Sequence, residues 1–420
     1  MNKIAPYIIQ HLQLENFHQH AGFTLIPEAG YYCVFWWKEI PLGQLFIERG
    51  EAIDRDKLYQ KIFNVIEPAI DFYITEQSLA KPDYKSAFLN GNIDIFSIKM
   101  DQVFSHILPT ALPKSVDISV VICTRNRSSQ LKYCLEQLRN QQCFPNEIIV
   151  VDNTPSDDGS RIVVAQFPEI TYCREPRPGL DIARNTGARL AKSSIVAYID
   201  DDVLVHSLWT YRTWEAFQSP NIQASTGLVI AAALESEAQQ IFEKFWSFNR
   251  GYEDKLYNSE YFKKNLEEGP PVWEIGAGAN MAFRKSVFEK VGYFDERLDV
   301  GAAGCSGDSE MWYRVLANGG AILYTPRAVV YHEHRKELKQ LHKQLFSYMR
   351  GFAAAALIQQ NQNEKAGYKK RLFRILPKWY WKLIISGFPR YSFQNRTLFS
   401  EIRGVISGIL FYYKNKNTPS

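Results

Sequence analysis

Six cysteines are scattered through the 420 residues without one Cys-x-x-Cys pair. Cys33, Cys123, Cys134, Cys143, Cys173 and Cys305 stand apart, several inside apolar runs. They read as reduced core thiols of a cytosolic protein rather than as a disulfide framework. Long apolar runs are also missing. The longest, residues 31–37 and 404–413, fall far short of the ~18–20 needed to cross a bilayer, so no spanning helix is expected. The first residues carry no basic-then-apolar leader, and no secretion signal is expected. No Gly-x-Gly-x-x-Gly follows the strand-like run at 118–123, which argues against a dinucleotide-dependent oxidoreductase.

What is present is an ordinary globular composition, 46% hydrophobic and 22% charged, in a chain long enough for two or three domains. The formal net charge of +4 hides an asymmetry. Residues 335–420 hold 17 Lys and Arg against 3 Asp and Glu, so this part carries +14 and the remainder −10. Such a split points to an anionic surface near the C-terminal part, membrane or nucleic acid.

The stretch that organises the rest is 194–203. A continuous apolar run, Ile195 to Ile199, has the character of a strand buried on both faces, and it ends in Asp200, Asp201 and Asp202. Three adjacent anions at a buried strand end are costly without a positive partner. A divalent cation answers this, because hard ions take carboxylate oxygens and bridge them to phosphates. The simpler alternative is a solvated acidic turn.

Residues 1–112 read as a small α+β domain. Short β-type runs fall at 23–26, 31–37 and 44–48, with turn chemistry at 27–30 and 40–43 and a helical rhythm over 57–73. His11, His18 and His20 lack metal-ligand spacing. Pro109 and Pro113 mark a linker. From Asp117 onward strands alternate with helices. A buried strand at 118–123 leads into Thr124, Arg125, Asn126 and Arg127. Ser128 or Ser129 can cap a helix with Leu131, Leu135 and Leu138 on its apolar face. A second strand at 147–151 ends in Asp152 and Asn153. A short strand near 170–173, a helix over about 182–191 and the Ile195 strand follow. This alternation means a doubly wound α/β sheet, and ligands bind such sheets at the carboxyl ends of the strands, where the polar clusters fall.

At this point a resemblance emerges. Residues 119–127, 150–153, 179–187 and 200–202 resemble the successive motifs of family 2 glycosyltransferases. Gly276-Ala277-Gly278-Ala279-Asn280 resembles that family's Gly-rich acceptor-side segment. Gly292-Tyr293-Phe294-Asp295-Glu296 is similar to its GxFDE turn, and residues 307–314 resemble its ED-x-E-xxx-R helix start. The motifs run in the family's order across 117–335. One position departs: the residue before Asp308 is usually acidic and here is Gly307. The resemblance implies a GT-A type doubly wound mixed sheet (Rossmann-like) over 117–335, after the small N-terminal domain and before a helical C-terminal extension over 336–420.

The activity it implies is inverting transfer of a sugar from a nucleoside-diphosphate sugar, UDP- or dTDP-linked, to an acceptor hydroxyl in surface polysaccharide or glycoconjugate synthesis. Asp200, Asp202 and His332 are then expected to hold Mn2+ or Mg2+, with His334 as the rival histidine and Asp201 facing the ribose. Thr124, Arg125, Asn126, Asp152 and Asn153 are expected around the nucleoside. Arg184 is expected at the phosphates or as a structural clamp. Asp308 is the expected general base, with a plain N-cap as the alternative and Asp299 and Glu310 as fallbacks. Trp273, Gly278 and Asn280 are expected on the acceptor side, with core packing the alternative for Trp273.

Beyond Arg335, Leu372, Leu376, Trp379, Tyr380 and Leu383 recur at helical spacing with Lys370, Arg371, Arg374, Lys378 and Lys382 between them, and Pro377 is expected to break or restart the helix. A basic face beside Trp and Leu suits peripheral binding to the anionic inner face of the cell membrane, where a saccharide or lipid-linked acceptor is met. A helical extension packed on the enzyme is the alternative. No nucleic-acid partner is expected. The competing functions are an inactive scaffold on the same fold, or a nucleotidyltransferase, which lacks an evident basic Gly-rich loop here.

Overall fold

The computed structural model describes residues 5–17, 26, 28–51, 53–391 and 393–418. His18, His20 and most of the 23–26 run lie outside the described residues.

The N-terminal part is a three-stranded sheet. β1 (Tyr7–Gln13) pairs parallel with β2 (Gly30–Trp37), which pairs antiparallel with β3 (Ile40–Ile47). Alternation along β2 divides its side chains between two cores. Tyr31, Cys33, Phe35 and Trp37 pack with the long helix Arg55–Glu76. Tyr32, Val34 and Trp36 pack instead against Leu228, Ile230 and Val329 of the main sheet. The turn expected at 40–43 is therefore corrected: these residues open β3, and the turn is Lys38-Glu39. Pro41 is accommodated on an edge strand beside a register shift. Gly43 lets the helix backbone approach, since a Cβ there would lie 2.3 Å from the Val65 carbonyl oxygen.

The main sheet holds nine strands: β4 (Ser115–Thr124), β5 (Phe144–Asn153), β6 (Ile170–Glu175), β7 (Ile195–Asp200), β8 (Val203–Val205), β9 (Ile222–Ala231), β10 (Lys255–Tyr257), β11 (Asn280–Arg284) and β12 (Ala321–His332). Their order is β10-β12-β9-β11-β7-β4-β5-β6, with β8 on β12. β7, β4, β5 and β6 are mutually parallel. β11 runs antiparallel between β7 and β9, which makes the sheet mixed. Both faces are covered. Ile195, Ala197 and Ile199 join the core under the helix Ser128–Arg139. Val196 and Tyr198 join that under the helix Leu180–Leu190. The mixed, doubly wound α/β architecture expected from the sequence is thus the observed one. Ser128 is the first residue of its helix, and no side chain caps that end, so the expected serine cap is corrected.

The helix Leu338–Gln362 packs its Ala353–Ala356 segment into the body. The helix Leu398–Asn415 lies close against it: a Cβ on Gly404 or Gly408 would sit 2.4 or 2.2 Å from the carbonyl oxygen of Phe346 or Arg350. Of the break or restart expected at Pro377, the structure shows a restart. A π-helical turn, Arg371–Ile375, runs directly into the helix Leu376–Gly387, placing proline at its start where an N–H has no obligatory partner. Among the described residues no helix is long and apolar enough to cross a membrane.

Candidate functional site

The parallel strands end together, and that edge collects the polar groups. β7 delivers Asp200 to its last position, and Asp201 and Asp202 form the turn into β8. The positive partner that the sequence called for is partly internal. Arg127, on the loop after β4, reaches Asp201 at 2.9 Å and Asp202 at 3.0 Å through one guanidinium nitrogen. Asp201 also accepts from the Thr124 hydroxyl at 2.7 Å and is buried. The side chains of Thr124 and Asp201 therefore hold each other. Arg127 escaped the sequence reading as a site residue; its only signal was a basic side chain on the loop that follows the first strand.

The Asp200 carboxylate has no hydrogen-bond or ion-pair partner among the described residues, while its backbone carbonyl accepts from Cys134 Sγ. Burial, reinforced by the Asp202 charge and opposed by Arg184, raises its carboxyl to about 7. His332 closes β12 opposite, with Nε2 3.6 Å from Asp202 Oδ1. Burial lowers its imidazole to about 4. Asp200, Asp202 and His332 each bring one ligand atom within 4.8 Å of the others. Two carboxylates and a neutral imidazole, one carboxylate unpartnered, fit a divalent cation. His334 is turned away, with Nε2 at 2.9 Å from Glu243.

Across the site, Arg184 is buried and donates from one nitrogen to Asp181 at 2.9 Å and to Asp299 at 2.7 Å. This is the clamp alternative of the two expected for it. Its charge also acts on Asp200 and Asp308, lowering both. Asp308 lies in the first turn of the helix Gly307–Ala317, whose N-cap is Ser306, so the N-cap reading of Asp308 is excluded. Its Oδ1 accepts from the Ser309 N–H at 2.6 Å, and Oδ2 points to the backbone of Gly278, where a Cβ would meet it at 3.1 Å and Arg184 at 2.8 Å. Burial raises the Asp308 carboxyl, against the pull of Arg184. The fallbacks are engaged elsewhere: Asp299 with Arg184, and Glu310 with Arg314 at 2.8 Å.

Gly307 explains itself in space. A Cβ there would lie 2.0 Å from an Asp181 carboxylate oxygen, so any side chain at this position requires the Asp181 carboxylate to move. Asp181 Oδ2 is buried without a hydrogen-bond partner among the described residues.

The remaining candidates divide. Asp152 is buried at the end of β5, Oδ2 accepts from the Tyr172 hydroxyl at 2.9 Å, and Oδ1 has no partner among the described residues. Arg125 and Asn126 are exposed on the first loop, and Asn126 takes a positive φ of 56° while accepting from the Ser156 N–H. The Asn153 amide donates to the Arg177 carbonyl at 2.7 Å and accepts from the Gly179 N–H at 3.0 Å, pinning a loop. Asn280 is buried, donates to the Leu228 and Ala328 carbonyls and accepts from Trp209 Nε1 at 2.9 Å, so it staples strands together. Trp273 is half-buried, edge-to-face with Phe352 at 4.9 Å and with the Arg371 guanidinium over its ring.

Residues 119–292 match the family model described as Glycosyl transferase family 2. The pre-mycofactocin glycosyltransferase of Mycobacterium tuberculosis (strain H37Rv) is 24% identical over 252 residues, 59% of this chain and 49% of that protein. The hyaluronan synthase of Pasteurella multocida is 27% identical over 246 residues, 52% of this chain and 24% of that protein. The chain thus spans half or less of the length of these relatives. Among solved structures, the mannosyltransferase PcManGT from Pyrobaculum calidifontis in complex with GDP-Man and Mn2+ aligns at 17% identity with a TM-score of 0.46, covering 74% of this chain and 89% of that one. Residues 119–292 thus form the part of this chain that is similar to glycosyltransferase family 2.

Proposed function

We propose that the protein transfers a sugar, with inversion, from a UDP- or dTDP-linked donor to a hydroxyl of a polysaccharide or glycoconjugate acceptor. The observation that carries this reading is the pairing of two carboxylate groups at one strand edge, Asp200 with Asp202 and His332 on one side and Asp308 on the other, with Arg184 acting on both.

Asp200, Asp202 and His332 would hold Mn2+ or Mg2+, which when bound supplies charge neutralisation for the leaving diphosphate. The chain's own groups account for the rest. Asp152, buried at the end of β5, would accept from the N–H of a pyrimidine base, and the exposed Arg125 and Asn126 would meet the nucleotide. Asp308 receives the acceptor hydroxyl's proton on Oδ2 as the acceptor oxygen bonds to the anomeric carbon. The bond from that carbon to the diphosphate oxygen breaks, and its electron pair leaves on the diphosphate. Gly278 keeps the approach to Asp308 open. Trp273 would contribute an apolar ring on the acceptor side.

The three units, 1–112, 117–335 and 336–420, then have separate roles, with the last attaching the enzyme to an anionic membrane face. Phe373, Trp379 and Trp381 are 51%, 44% and 63% exposed on the helices at 371–387. An open apolar groove of about 330 Å3 runs there between Leu372, Leu376, Tyr380, Ile384, Ile402 and Ile409. Arg374, Lys378 and Lys382 have no ion-pair partner among the described residues. Aromatic and basic side chains together suit the headgroup layer.

A nucleotide-sugar screen tests the function, reading thermal stabilisation and donor hydrolysis with Mn2+ and with chelator. Stabilisation by a uridine or thymidine donor that needs the metal is expected. Full turnover in chelator defeats the metal reading, and stabilisation without any turnover or hydrolysis supports a scaffold instead.

A further inference from the structure

His332 does not stand alone behind Asp202. Its Nδ1 lies 3.3 Å from Nδ1 of His334, whose Nε2 lies 2.9 Å from Glu243 Oε2. His334 and Glu243 are each 3% exposed. Phe242 and Phe248 pack on the two rings, at 4.5 Å from His334 and 5.9 Å from His332. Glu243 is in turn held from the N-terminal sheet. Its Oε1 accepts from the Ser247 hydroxyl at 3.1 Å and from the Tyr32 hydroxyl of β2 at 3.2 Å. That hydroxyl lies 2.5 Å from Gln44 Oε1 of β3 as well, and its single proton is shared between the two acceptor oxygens.

The chemistry of this row fixes its protons. A carboxylate only accepts, so His334 must donate from Nε2. A neutral imidazole that carries its proton on Nε2 presents a bare Nδ1. His332 must then donate from Nδ1, which leaves a lone pair on Nε2, the nitrogen aimed at Asp202. Two acceptors, imidazole nitrogen and carboxylate oxygen, thus face each other at 3.6 Å, an arrangement that a cation between them joins.

We propose that Glu243, acting through His334, is a positioning residue that locks His332 in its metal-ligating tautomer, and that Tyr32 and Gln44 hold Glu243 in place from the N-terminal sheet. The N-terminal unit is thereby a structural part of the metal site. This rests on the metal reading given above. Replacing a partner behind a ligating histidine typically weakens metal binding 10–100-fold. Glutamine at 243 can donate or accept, so it no longer dictates the tautomer.

The test uses the full chain without donor. Mn2+ affinity is measured by calorimetry for wild type, Glu243→Gln and Tyr32→Phe, with circular dichroism and metal-free thermal unfolding as checks on folding. A 10–100-fold weaker Mn2+ affinity is expected for Glu243→Gln and a smaller loss for Tyr32→Phe. Imidazole 15N spectra of the metal-free wild type are expected to show His332 protonated at Nδ1 and bare at Nε2. This needs no variant, so it decides the matter even if Glu243→Gln fails to fold. Equal Mn2+ affinity in a folded Glu243→Gln, or His332 protonated at Nε2 in the wild type, overturns the relay. Wild type that binds no Mn2+ while showing the Nδ1–H tautomer defeats the metal reading and leaves the hydrogen-bonded row standing.

Discussion

Replacing Arg184 by methionine isolates the electrostatics of the site from its chemistry. Methionine keeps the length and apolar stem of arginine, so little packing volume is lost. The charge is another matter. One guanidinium nitrogen is shared between Asp181 at 2.9 Å and Asp299 at 2.7 Å, and the arginine side chain is 5% exposed. Removing one member of a buried pair costs about 3–5 kcal/mol, because the partner is left charged and unsolvated. Here two carboxylates are orphaned, so the upper part of that range is expected near neutral pH. Burial already holds Asp181 well above the ordinary carboxylate range, and the Asp299 charge adds to it while Arg184 opposes. Without Arg184 the native-state Asp181 carboxyl rises further. A carboxyl raised on folding contributes stability in its protonated form, present at low pH and lost as pH climbs through the folded-state value. The deficit of Arg184→Met relative to wild type must therefore widen from about pH 5 to about pH 8. Urea unfolding at both values measures it. A deficit under about 1 kcal/mol, or one that narrows as pH rises, would refute the clamp.

Gly307→Ala should destabilise by about 1–3 kcal/mol through overpacking, since its Cβ would meet the Asp181 carboxylate at 2.0 Å; adding Asp181→Ser should recover part of the loss in the same unfolding assay. Asp308→Asn should lower turnover by at least ~10²-fold with donor KM little changed, and an equal loss of donor affinity would make Asp308 a donor contact instead. Because burial raises the Asp308 carboxyl, the wild-type rate should fall on the acid side at a pH above the ordinary carboxylate range, with the base form active on the alkaline side; a rate profile measures this. Full-length protein should sediment with anionic vesicles at low salt and less at high salt, each engaged cation contributing about 1 kcal/mol. A combined Lys378→Glu, Lys382→Glu, Trp381→Ser variant should stay in the supernatant, and sedimentation equal to wild type would remove these residues from the contact.

Much of the α/β body was legible because local rules and global fold agree there. The run from Ile195 to Ile199 alternates into cores on both faces of the sheet, and its abrupt end in acid residues marks the ligand edge. The N-terminal sheet was less legible. β1 shows little apolar alternation, and Pro41 with Gly43 reads as a turn when taken locally. Both are tolerated because β3 is an edge strand under a close helix. At the site, residue type alone did not separate ligand contacts from staples. Asn153 and Asn280 have the donors and acceptors of binding residues, but three-dimensional neighbours engage them fully. Conversely Arg127 completes the acidic cluster from 74 residues away in sequence, a pairing that no spacing rule reveals.

The exchange at Gly307 is the sharpest instance of that limit. In sequence, position 307 is a departure, with a carboxylate missing beside Asp308. In space the carboxylate is there. Asp181, carried in the first turn of the helix Leu180–Leu190, fills the volume that a side chain at 307 would take. Glycine at 307 and aspartate at 181 are therefore one choice made at two positions. Either substitution alone leaves the start of the Asp308 helix overfilled or underfilled. The electrostatic surroundings of Asp308 depend on which chain segment brings the charge, because Asp181 arrives already paired with Arg184, and a carboxylate grown from position 307 would not.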